Sequence, residues 1–296
     1  MRAVHVIAAL SVALSACSIR PTPTGLGRAT DTYAISMRIR CEARIALSAM
    51  AIGELRRLGF ADIARRLEAG ELTFAQINRS RLPAAVRARF DRYDGTTIGY
   101  SFNFNMSESE NATASVGVLF PLVRAPVVLG AAATGNLERQ NVRAFRVIDT
   151  WERLLTTPRM DERCREYGDS AVNAVYPITG QIGMLEQLKL FFDLTESGNL
   201  VSSDSLIPTL IDTVQFTTKI SGSINGGVQL ARLGNSAQFA SASGSADASR
   251  SDIHKVTIAI ALPPENAPLD RTIAEQQIVR DLSRQEELQA LAGLRR

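Results

Sequence analysis

From Ile98 onward the chain alternates apolar and polar residues, with Ile98, Tyr100, Phe102, Phe104 and Met106 separated by Gly99, Ser101, Asn103 and Asn105. A period of two puts the five apolar side chains on one side of an extended backbone, so the stretch predicts a half-buried antiparallel strand. Ser107-Glu108-Ser109-Glu110-Asn111 reads as a polar turn after it, and Ala114 to Phe120, Val127 to Ala133 and Val142 to Ile148 supply three further strands. The pattern returns about 114 positions later. Val214, Phe216, Thr218 and Ile220 alternate ahead of Ser221-Gly222-Ser223-Ile224-Asn225, and Arg250-Ser251-Asp252-Ile253 matches Arg139-Gln140-Asn141-Val142 before a last strand, Lys255 to Leu262. We read a pseudo-duplicated helix-strands-helix unit with copies over about 83–160 and 180–296.

Helical periodicity fills the intervals. Asp31 to about Leu67 is rich in Ala, Leu, Arg and Glu, with Met37, Cys41, Ile45, Ile52 and Leu55 along one face. Tyr33, Ile35, Met37, Ile39 and Cys41 also alternate like a strand, so its first turns are open to both readings. A short helix over Ala84 to Asp91 follows the Leu82-Pro83 break, and Asp149 with Glu152 forms a capping box ahead of Trp151, Leu154 and Leu155. Gly180 to Ser197 predicts a helix on Ile182, Leu185, Leu188 and Phe192, stopped by Gly198. Thr272 and Glu275 cap a final helix striped by Ile273, Ile278, Leu282, Leu288 and Leu291, which either covers the core or binds a partner. The expected fold class is α+β, antiparallel sheet with covering helices. With 45% hydrophobic and 21% charged residues over all 296, the chain has the composition of an ordinary globular protein, and residues 31–296 read as its α+β domain.

The N-terminus changes the picture. Arg2 precedes an apolar run from Ala3 to Leu14, too short to span a bilayer, and the run ends in Leu14-Ser15-Ala16-Cys17. This arrangement resembles the lipobox of bacterial prolipoproteins. The resemblance implies that residues 1–16 are a signal peptide, that Cys17 becomes the acylated N-terminus, and that the membrane is a partner through that lipid. Ser18 and Ile19 in place of an Asp favour the outer membrane facing the periplasm, with inner-membrane anchoring the alternative. Residues 17–30, with Pro21, Pro23, Gly25 and Gly27, read as anchor and flexible tether. Cys41 and Cys164 are then the remaining thiols, and an oxidising compartment favours a disulfide between them, with two separate buried thiols as the alternative.

Candidate chemistry is sparse. After signal removal His254 is the sole histidine, and two thiols with one imidazole lack metal-ligand spacing, so no metal and no cofactor is expected. Parity with Val256, Ile258, Ile260 and Leu262 places His254 on the apolar side of its strand, opposite Arg143 in the other copy. Gly168-Asp169-Ser170-Ala171-Val172 and Gly234-Asn235-Ser236-Ala237-Gln238 both fail the nucleophile-elbow pattern at the last residue. Acidic and basic residues interleave at a formal net charge of +3, without the basic stripe and aromatics of a nucleic-acid binder. The most unusual segment is Val116 to Gly130, far more apolar than Val228 to Ser243 in the other copy, with Pro121 and Pro126 forbidding a spanning helix. It reads as a buried strand pair, as a hairpin that docks an envelope protein partner, or as one that touches lipid, and Phe120, Leu122 and Val123 are its candidate contacts. The functional expectation is a lipid-anchored envelope protein that binds or scaffolds rather than catalyses. The alternative is an envelope hydrolase using His254.

Overall fold

The computed structural model describes residues 32–121, 126–168, 182–198, 200, 207–229, 238–263 and 271–293. Residues 1–16, Cys17 and the tether lie outside them, as do Leu122 and Val123. The fold is α+β. Among the described residues, helices α1 (Thr32–Arg57), α2 (Ala61–Glu68) and α3 (Ala84–Asp94) precede a hairpin of β1 (Thr97–Pro121) and β2 (Pro126–Thr150). Then come α4 (Trp151–Thr156), α5 (Pro158–Gly168), α6 (Met184–Glu196), a second hairpin of β3 (Thr209–Gln229) and β4 (Gln238–Ala261), and α7 (Arg271–Gly293).

The four strands form one antiparallel sheet in the order β2-β1-β4-β3. Ser107 on Ser251, Thr113 on Ser245 and Ser115 on Ser243 fix the β1–β4 register, and Thr213 on Thr257 that of β3–β4. The sequence repeat aligns β1 with β3 and β2 with β4, and this order sets the two hairpins side by side in the same sense. Where the pattern from Ile98 to Ile148 predicts four short strands, the structure has two long ones. Ser107 to Asn111 is uninterrupted β1, because Glu108 and Glu110 pair with arginines of neighbouring strands and the polar run never has to turn toward solvent.

The chain divides into two compact units. The helical unit comprises the described residues within Thr24–Asn103, Arg143–Phe216 and His254–Arg296. Here α1 packs against α2, α4, α5 and α6, which bury it on several sides. Ile35, Met37, Ile39 and Cys41 alternate because successive faces of one helix are all covered, so the strand alternative for its first turns gives way to helix. Arg40 donates to both oxygens of the buried Asp149 at 2.7 Å, and Glu42 accepts from the backbone N–H of Ile182, Gly183 and Met184 at 2.9–3.0 Å, capping α6 from a neighbouring helix. The cap of α4 is Thr150, whose hydroxyl accepts from Arg153 N–H at 3.2 Å, one position beyond the expected Asp149, which is engaged by Arg40. On the other side of the strands, α7 buries Ala274, Ile278 and Leu282 against Ala259 and Ala261. The final helix is thus a core-covering one along that stripe, while Leu288 and Leu291 stay exposed.

The sheet unit holds the other parts of the strands, the described residues within Phe104–Val142 and Thr217–Ile253. Apart from Phe104 and Met106, the large apolar side chains described in it are half-buried or exposed.

Candidate functional site

Cys41 of α1 and Cys164 of α5 are joined with their sulfurs 2.05 Å and their Cα atoms 5.3 Å apart. The bond closes a span of 123 residues between helices that pack together, so it fastens one flank of the α1 core.

His254 is 2% exposed, within the buried run that continues through Val256 and Ile258. An imidazole so placed has no open approach for a substrate, and the described carboxylates beside it in sequence, such as Asp252, are themselves held by arginine. Its repeat counterpart Arg143 donates to Thr32 Oγ1 at 2.6 Å. Among the described residues no group of three or more His, Cys, Asp or Glu is placed to hold a metal ion.

The helical unit carries an open cleft of about 550 Å3 that no sequence pattern marked. Its floor is aromatic: Tyr93 meets Phe192 edge-on at 4.8 Å, and Trp151 meets Phe192 at 5.4 Å. Its lip is charged. Arg89 bridges Glu54, at 3.0 Å, to Glu196, lies over the Tyr93 ring at 5.3 Å, and Tyr93 Oη donates to Glu196 at 2.7 Å. Burial and that hydrogen bond push the Tyr93 phenol up to about 12, whereas the bond from Arg57 holds the Glu54 carboxyl below its ordinary value. Glu54 and Glu196 are thus both held by guanidinium groups, and Asp193 is a third carboxylate lining the cleft. The residues that build it come from α1, α3, α4 and α6, too far apart in sequence for a motif to reveal.

The sheet unit is built differently. The ion pairs Arg139–Glu110 and Arg250–Glu108, with Arg250 also on Asp252 at 2.9 Å, place these side chains on one face. By strand parity the same face carries Ala112, Ala114, Val116, Val118 and Phe120 on β1 and Val127, Leu129, Ala131, Ala133 and Leu137 on β2. It carries Ile220 and Ile224 on β3 and Ala242, Gly244, Ala246 and Ala248 on β4. The opposite face is polar, with Asn105 taking a hydrogen bond from Gln140 at 2.9 Å and the hydroxyl pairs Thr113–Ser245 and Ser115–Ser243 across the strands. Both faces are open. Phe120 is 37% exposed, Val127 40%, Leu129 60% and Ile224 77%.

These exposures overturn the buried strand pair for the described part of Val116 to Gly130. The apolar contrast between copies also narrows, since Ile220 and Ile224 continue the band onto β3. Sequence reasoning marked Phe120 but missed that the band crosses all four strands, because Gly and Ala at alternate positions of β4 give a faint signal. A trough of about 660 Å3 crosses this unit where Ala112, Ala246 and Ala248 lie between Leu137 and Ile224.

Among the described residues no helix is long and apolar enough to cross a membrane, a statement that does not bear on strands. Among solved structures, the secretin InvG of the Salmonella SPI-1 type III secretion injectisome aligns with 63% of this chain and 70% of its own, at 7% identity and a TM-score of 0.12. A chain of the injectisome basal body of InvG, PrgH and PrgK aligns with the same share of this chain and 50% of its own, also at 0.12. Likenesses this slight carry no argument. In sequence, a Sinorhizobium fredii protein described as "Uncharacterized protein y4kA" is 34% identical over 276 residues, 90% of this chain and 84% of the relative. The family described as "Uncharacterised protein y4kA" matches residues 20–296, and this chain belongs to it.

Proposed function

We propose that this protein is a lipid-anchored envelope protein, tethered through Cys17 and facing the periplasm, which works through the open surface of its sheet unit rather than by catalysis. The observation that carries the reading is the amphipathic sheet itself: an apolar band and a polar face, both exposed, on strands fixed by cross-strand ion pairs and hydroxyl bonds. Contiguous exposed apolar surface of this extent marks a place of interaction in a stable protein. Burial of His254 gives the hydrolase alternative, which rested on that imidazole, no support.

The anchor rests on the lipobox and on the proline- and glycine-containing tether. Metabolic labelling with an alkynyl fatty acid tests it. We expect the label on the wild-type protein and its complete loss in Cys17→Ala, with far-ultraviolet circular dichroism of the purified variant unchanged. Wild-type protein that carries no acyl group would end the anchoring proposal.

A further inference from the structure

We infer that copies of this chain join edge to edge to form a transmembrane β-barrel, each copy contributing its four strands, with the apolar band against the acyl chains and the polar face lining a water-filled lumen. The inference deepens the reading above by naming what the open sheet meets.

Length is the first argument. On β1 the band runs from Ala112 to Phe120, nine residues, and on β2 from Val127 to Leu137, eleven. A transmembrane strand needs about 9–11 residues. At ~3.3 Å per residue and a tilt of ~40°, these spans reach roughly 23–28 Å, the ~25 Å height of the apolar girdle on known barrels. The second argument is where the band stops. On the same face, immediately beyond Ala112, stand Glu110 and Glu108 with their partners Arg139 and Arg250, so apolar surface gives way within one side-chain repeat to a charged row suited to head groups and water.

Polarity alternates across the sheet rather than being random. Hydroxyl and amide side chains occupy the face opposite the band, and that face of a membrane barrel borders water. The edges supply the last argument. β2 and β3 border the sheet with 25 and 21 residues, and among the described residues no further strand joins their outer sides. Long open edges are a liability that closure removes, and four strands are too few to close, since the smallest membrane barrels have about eight. In an antiparallel sheet of four, the two edge strands run in opposite directions. A neighbouring copy related by rotation therefore sets its β3 antiparallel to this β2, and the ring closes with an even number of strands.

The test uses the full-length protein extracted from membranes in mild detergent, with its mass measured in solution and its conductance measured in planar bilayers of phosphatidylethanolamine and phosphatidylglycerol. The expected result is a homo-oligomer giving discrete conductance steps. Ser115→Lys, on the polar face, should shift the reversal potential toward anions, while Leu129→Arg with Ile224→Arg should abolish the steps. Because the double arginine variant risks failing to fold, the polar-face variant decides: steps with an unmoved reversal potential would overturn the proposal. Monomers that carry the fatty-acid label but give no steps would overturn the barrel and leave the anchor standing, whereas steps from unlabelled protein would support the barrel and remove the anchor. A photocrosslinker at Leu129 should capture lipid, and capture of a different polypeptide instead would reject the barrel.

Discussion

The phenol of Tyr100 is fully buried on β1, and its hydroxyl meets no hydrogen-bond partner among the described residues. Burial, and after it the nearby Asp149 carboxylate, raises its pKa well above that of an ordinary tyrosine. Tyr93 is pushed the same way, to about 12. The sign follows from which state releases its proton first. A phenol whose folded pKa lies above its unfolded value of about 10 contributes its full stability below pH 10, and that contribution is lost as pH climbs toward the folded value. We expect urea midpoints to be level from pH 8 to about 10 and to fall from there toward 12. Tyr93→Phe should make the fall shallower, and an unchanged slope in that variant would show that the phenol of the cleft is not its source. Tyr100→Phe keeps the ring and removes an unpaired buried hydroxyl, so it should leave stability at pH 7 equal to wild type or about 1 kcal/mol higher.

At the level of elements, Gly99 shows how closely α7 lies on the sheet. A Cβ at that position would fall 2.2 Å from Ile278 Cγ2 and 3.2 Å from Leu282 Cδ1. The nearer atom is a branch methyl next to the helix backbone, with little room to swing away. Gly99→Ala should therefore cost about 1–3 kcal/mol in chemical denaturation, and Ile278→Ala in the same chain should recover part of it, because the two changes share one contact. A second expectation concerns Cys41 and Cys164. Exported protein should present no alkylatable thiol before reduction, and Cys41→Ser with Cys164→Ser should lower stability by roughly 4–5 kcal/mol, as expected for a loop of about 120 residues. Much at this level was legible from sequence. The period-two runs gave the strands, Gly198 ended α6, and the stripe of Ile278 and Leu282 gave α7 its buried side. Two things were not. A helix covered on successive faces loses the periodicity that distinguishes it, so α1 read partly as a strand. Polar residues that pair across strands look in one dimension like residues that turn, and Ser107 to Asn111 was misplaced for that reason.

For the whole molecule, the sequence left Val116 to Gly130 open between a buried strand pair, a docking hairpin and one that touches lipid, and it did not show an exposed apolar face across four strands, because such a face exists only once register is set. The cleft of Tyr93, Arg89 and Glu196 was beyond reach for the same reason, being assembled from four helices. The two units also differ in what holds them. The helical unit has a dense core around Leu47, Leu55, Leu154, Leu188 and Phe191, all nearly without solvent contact, whereas most of the large apolar side chains described in the sheet unit are exposed. Strands open on both faces gain little from burial, and local opening there should require far less free energy than global unfolding. Hydrogen exchange measures this directly. In Cys17→Ala protein kept free of detergent and lipid, amides of 112–120, 127–137 and 220–226 should exchange orders of magnitude faster than those of α1 near Cys41. In wild-type protein in membranes, the same strands should rise toward the protection of the helices, because pairing at both edges and an apolar surrounding supply what the isolated chain lacks. Equal protection of both units in the lipid-free variant would mean that the sheet is stable alone and gains nothing it needs from paired edges or a membrane.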